Sequence, residues 1–112
     1  MAVIERTATI VNPLGMHARP AAELVKVAGR YKSAVEVRKD DLAVNGKSIM
    51  GVMMLAAERG SRLTIKTDGE DAEEAMAALL ALVADGFHEM HLTGAEADEA
   101  ADRASQEEED EA

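Results

Sequence analysis

Two apolar periodicities alternate along the chain, and that alternation restricts its fold more than any other feature. Thr7-Ala8-Thr9-Ile10 changes polarity at each residue, as a strand does when one face meets a core and the other meets water. Val35-Glu36-Val37-Arg38, Leu42-Ala43-Val44 and Leu63-Thr64-Ile65-Lys66 follow the same rule. Between these stretches the apolar positions shift to helical spacing. Ala21, Leu24, Val25, Ala28 and Tyr31 stand at i, i+3, i+4, i+7 and i+10, and Ala72, Ala75, Met76, Leu79, Leu82 and Val83 do likewise in the longest such segment. Ile49, Val52 and Met53 outline a shorter helix that ends before Gly60. Asp40-Asp41 reads as a tight hairpin turn between the second and third strands, although it lacks the usual glycine. The predicted order is βαββαβα. Each strand keeps a polar face (Thr7, Thr9, Glu36, Arg38, Thr64, Lys66), and a sheet wet on one side is usually antiparallel with helices on the other. The expected fold class is therefore α+β, an open-faced β-sandwich with three helices on one face of a four-stranded antiparallel sheet. Tyr31 and Phe87 are the only aromatics, so the core is expected to be aliphatic, with methionine filling gaps.

A chain of 112 residues supports one domain with a core of its own. It has no cysteine, which removes disulfides and thiolate metal sites and fits a reducing compartment. The N-terminal residues Met1-Ala2-Val3-Ile4-Glu5 lack the basic and apolar regions of a signal peptide, and no apolar run reaches the length of a membrane span. A cytoplasmic monomer without membrane insertion is the expectation. The net charge of −10 argues against nucleic-acid binding. That charge is concentrated: from Ala95 to Ala112 nine acidic residues face a lone Arg103, so this stretch carries −8 and the rest of the chain −2. The expected division is a domain over residues 1–90 and an acidic, disordered tail over 91–112.

The segment Asn12-Pro13-Leu14-Gly15-Met16-His17-Ala18-Arg19-Pro20-Ala21-Ala22 joins the first strand to the first helix. Pro20 suits a first helical turn, where its missing N–H costs nothing, and the residue before a proline avoids helical dihedrals, so Arg19 is placed at the boundary. His17 then stands just ahead of a helix N-terminus, whose unpaired N–H groups and partial positive charge favour phosphate. Arg19 adds a guanidinium fork. A neutral imidazole is a good nucleophile near pH 7, and the surrounding positive groups can stabilise charge spreading over a phosphoryl group in transfer. No Asp or Glu lies close in sequence to serve as a base, and an unprotonated imidazole requires none. A lone histidine near a helix start is, by itself, more often an ordinary loop residue.

Resemblance to a known family decides between these readings. Gly15-Met16-His17-Ala18-Arg19-Pro20-Ala21 resembles the active-site signature of HPr, the histidine-containing phosphocarrier family of the bacterial phosphoenolpyruvate-dependent phosphotransferase system. Asn45-Gly46-Lys47-Ser48-Ile49-Met50-Gly51-Val52-Met53 resembles the family's regulatory-serine motif, and the separation of His17 from Ser48 matches as well. The likeness covers roughly residues 3–88. It implies a carrier with a covalent phosphohistidine, not a stand-alone turnover enzyme, and implies no cofactor. His17 would accept a phosphoryl group on Nδ1 from enzyme I and pass it to an enzyme IIA. Arg19 and Ala18 would contact the phosphate. Ser48 would be the target of a regulatory kinase, and Met16, Met50 and Met54 would form part of a docking face. A regulatory interaction module, acting through Ser48 and partner docking, is the alternative.

Other signals carry less. Ser48 also reads as a plain helix N-cap. Lys26 and Lys47 could join Arg19 in a basic patch for an acidic partner, or be solvated surface charges. His88 and His91, with Glu89 between them, make a weak metal pair, so no metal site is expected. Gly60 and Gly69 read as turn glycines and form no nucleotide loop.

Overall fold

The structure, a computed structural model, describes residues 2–90. The acidic stretch expected to be a tail, with His91 in it, lies outside the described residues. Strands β1 (Ala2–Thr9), β2 (Ala34–Lys39), β3 (Leu42–Asn45) and β4 (Arg62–Gly69) alternate with helices α1 (Ala18–Ala28), α2 (Ile49–Met54) and α3 (Ala72–Ala84), in the predicted order. A short 3-10 turn, Gly86–His88, follows α3. The strands form one sheet in the order β1-β4-β2-β3, with every neighbouring pair antiparallel. Register follows the alternation of side chains: Val37 pairs with Ile65 and Val44, and the polar Glu36 with Lys66 and Asn45. The β2–β3 hairpin closes at Lys39 and Leu42, so Asp40-Asp41 is the two-residue turn, and Asp40 takes the left-handed conformation (φ 53°) that such a turn requires and that aspartate tolerates.

The helices cover one face. Ile10, Leu24, Val35, Val37, Val52, Leu63, Ile65, Leu79, Val83 and Phe87 fill the space between the layers. The core is aliphatic, as expected, but methionine contributes less to it: Met16 and Met76 are buried, whereas Met50, Met53, Met54 and Met90 are exposed. Tyr31 matches the spacing of α1 but falls beyond its last turn, which ends at Gly29, and packs against the core from the loop. Among the described residues, no helix is long and apolar enough to cross a membrane.

Candidate phosphoryl-acceptor site

β1 delivers the chain into a loop at Asn12–Met16 that is fastened to the rest of the fold at one point. Gly15 has φ 71°, and a Cβ on it would lie 2.5 Å from the Ala57 carbonyl oxygen, so only glycine fits. The next amide, Met16 N–H, donates to that same carbonyl at 2.7 Å. This anchorage sends the Met16 side chain inward. Met16 is 5% exposed and belongs to the core, which corrects its expected place on an exposed docking face.

His17 is the N-cap residue of α1, with extended dihedrals (φ −89°, ψ −171°), and its carbonyl accepts the first helical bond from Ala21 N–H at 3.0 Å. The boundary therefore lies two residues before Arg19. Ala18, Arg19 and Pro20 make the first turn, and the proline sits where no N–H is needed. The His17 side chain makes no capping hydrogen bond among the described residues and no acidic residue occupies the first turn, so the positive end of the helix faces the imidazole uncompensated by local sequence. Ala18 is buried, which leaves its backbone N–H as the group it can offer a phosphate.

The structure adds a carboxylate from the far end of the domain. Glu89, 1% exposed, places Oε1 2.9 Å from His17 Nε2 and Oε2 3.2 Å from Arg19 Nη1. Asn12, fully buried, donates from Nδ2 to Glu89 Oε1 at 3.1 Å and to the Gly15 carbonyl at 2.8 Å. Both partners of Nδ2 are acceptors, which fixes the orientation of the amide. Arg19 Nη1 also donates to the Phe87 carbonyl at 2.7 Å. His17 Nδ1 is buried and makes no hydrogen bond among the described residues. The Gly86–His88 turn carries Glu89 into place. Gly86, Phe87 and His88 are all left-handed (φ 67°, 55° and 64°), and the fully buried Phe87 ring pins the turn to the core. The sequence alone does not mark Asn12 or Glu89 as site residues. Glu89 lies 72 positions from His17, and no local sequence pattern joins the two.

The remaining candidates separate from this cluster. Ser48 is the N-cap of α2 and accepts Gly51 N–H on Oγ at 3.1 Å. Met50 and Met54 are 76% and 67% exposed, with Met53 between them at the surface. Lys47 Nζ donates to the Tyr31 carbonyl at 2.8 Å and, with Lys32, Lys66, Glu36 and Asp68, lines a depression on the sheet that shares no residue with the His17 cluster. Lys26 is exposed on the last turn of α1. No hydrogen bond or ion pair among the described residues joins either lysine to Arg19. His88 pairs with Asp85, and no group of three or more metal-ligating side chains occurs among the described residues.

Residues 4–85 match the family model described as the PTS HPr component phosphorylation site. The phosphocarrier protein HPr of Cupriavidus necator is 52% identical over 87 residues, which are 78% of this chain and 98% of that protein. The chain belongs to the HPr family. Solved HPr structures share its architecture: the crystal structure of a phosphocarrier protein HPr from Bacillus anthracis superposes with a TM-score of 0.71 at 44% identity, covering 74% of this chain and 99% of that one. An HPr dimer from Thermoanaerobacter tengcongensis gives 0.61 at 44% identity, covering 70% and 90%. The family is that of the phosphocarriers of the phosphotransferase system.

Proposed function

We propose that His17 is the residue that carries the phosphoryl group, accepting it from an enzyme I charged by phosphoenolpyruvate and passing it to an enzyme IIA. The observation that carries this reading is the N-cap position of His17 on an uncapped helix, beside the Arg19 guanidinium, in a chain of this family. Arg19 supplies a fork for the phosphate: both of its hydrogen bonds leave from Nη1, and Nη2 and Nε make none among the described residues. The Ala18 amide and the end of α1 offset the arriving charge. The exposed Met50 and Met54 form the apolar part of the docking face, with Lys26 and Lys47 as flanking charges. Ser48, at the start of the same short helix, is the regulatory site, and a kinase and phosphorylase acting on it are the corresponding partners. The carrier works as a cytoplasmic monomer, without cofactor or nucleic acid.

Incubation with enzyme I and phosphoenolpyruvate, followed by mapping of the modified residue, tests the reading. One acid-labile, alkali-stable label is expected, on His17, and His17→Ala should remove it while leaving the circular dichroism spectrum unchanged. Undiminished labelling of His17→Ala would sink the assignment. Arg19→Ala should slow transfer by about ten- to a hundredfold, since a hydrogen bond to a charged group contributes about 1.5–3 kcal/mol.

A further inference from the structure

Nothing in the local sequence around His17 fixes which of its two nitrogens carries the proton, yet the choice determines which is the nucleophile. Glu89 settles it. A carboxylate facing Asn12 Nδ2 and Arg19 Nη1 accepts hydrogen bonds, so the 2.9 Å contact with His17 Nε2 is made by an Nε2–H. The other tautomer has two faults. It sets a bare Nε2 against a carboxylate oxygen, and it buries an Nδ1–H that has no acceptor among the described residues. A neutral ring held this way carries its lone pair on Nδ1.

We propose that Glu89 is a positioning residue for phosphoryl transfer: it holds the His17 proton on Nε2 and so reserves Nδ1 as the nitrogen that takes the phosphoryl group. The inference rests on the reading of His17 as the carrier and adds the group that selects its reactive atom. In the step itself the Nδ1 lone pair forms the bond to phosphorus, and the bond from phosphorus to the donor's leaving group breaks, its electron pair leaving with that group. Nε2 keeps its proton throughout. The positive charge that the ring acquires develops opposite the Glu89 carboxylate, as in other histidines oriented by a carboxylate on the second nitrogen. Nδ1 is covered in this conformation, so its surroundings must shift before a donor can reach it, and the Nε2 hydrogen bond fixes which nitrogen that shift exposes. Asn12 acts one step further out. Its Nδ2 shares Glu89 Oε1 with His17, which keeps that oxygen aimed at the ring.

The test does not depend on enzyme I. Ring nitrogen spectra of the full chain labelled with 15N-histidine, with His17 assigned by its alanine variant, should place the proton wholly on Nε2. Glu89→Ala should spread it over both nitrogens. Glu89→Gln should keep it on Nε2, because Asn12 and His17 both donate to the same oxygen, which the amide retains. With phosphoramidate as a small phosphoryl donor releasing ammonia, the parent should label slowly and at Nδ1. Glu89→Ala should label more slowly at Nδ1 and acquire Nε2-phosphohistidine. A parent proton on Nδ1, an unchanged tautomer in Glu89→Ala, or equal Nε2 labelling of parent and variant would overturn the proposal. If the tautomer behaves as stated but enzyme I labels a residue other than His17, the carrier assignment fails and the role of Glu89 in orienting the ring stands.

Discussion

Asp71 occupies the N-cap position of α3 but does not cap it. Its carboxylate turns instead to the loop after α1, accepting the Ser33 hydroxyl and the backbone N–H groups of Lys32 and Ser33, the last two at 2.9 Å. The Ser33 hydroxyl chiefly, and then the Lys32 amide, hold its pKa at about 2 against an ordinary 3.8. A carboxyl whose folded pKa lies below its unfolded value contributes stability that is present above the unfolded value. That stability is lost as pH falls towards the folded one. The expected window is therefore pH 4 down to 2. Asp71→Asn should be less stable than the parent at neutral pH, and its melting temperature should fall less steeply between pH 5 and pH 2. Parallel melting curves across that range would remove Asp71 as a contributor. The same long-range use of a carboxylate explains what was legible at the site. His17, Arg19 and Pro20 could be read because their arrangement is set within one turn of chain. Glu89 could not, because its approach depends on three left-handed residues and a buried Phe87. The burial of Met16 has a related reason: adjacency to His17 says nothing of direction, which the Gly15 contact with Ala57 decides.

Periodicity located every strand and helix, because each has one face in the core, yet it misjudged ends. Tyr31 keeps the helical count beyond the end of α1, and the boundary that the proline rule, not periodicity, puts at Arg19 lies at His17. Ends are set by caps and by local backbone bonds, which apolar spacing does not encode. α2 is the clearest case. It spans six residues with Val52 its one buried side chain, so its start depends on Ser48, whose Oγ accepts Gly51 N–H. Loss of such a cap costs about 1 kcal/mol. Aspartate caps equally well and a negative charge is favourable at a helix start, so Ser48→Asp should leave the melting temperature unchanged or slightly raised. The added charge stands beside Met50 and Met54, where an acidic partner would be repelled. Binding to enzyme I, followed by calorimetry, should weaken. Equal affinity of Ser48→Asp and parent would remove Ser48 from partner control.

Over the whole molecule, the division of charge has a consequence for partner binding. Residues 95–112 carry −8 and the rest of the chain −2, while the proposed docking residues include Arg19, Lys26 and Lys47. A segment tethered to the same chain competes at a high effective concentration. Its charges would compete with an acidic partner for those cations and repel that partner at longer range. Both effects slow encounter more than they weaken the docked complex, because steering acts before contact is made. Interactions between exposed charges are screened beyond roughly 8 Å at physiological ionic strength, so the competition should depend steeply on salt. Solubility alone is the other service an acidic segment performs, and it predicts no change in association rate. Stopped-flow association with enzyme I separates the two, comparing the full chain with one ending at Gly94. At low salt the shortened chain should associate faster, and the difference should vanish at high salt while the dissociation rates stay equal. Equal association rates at low salt would leave solubility as the role of the segment.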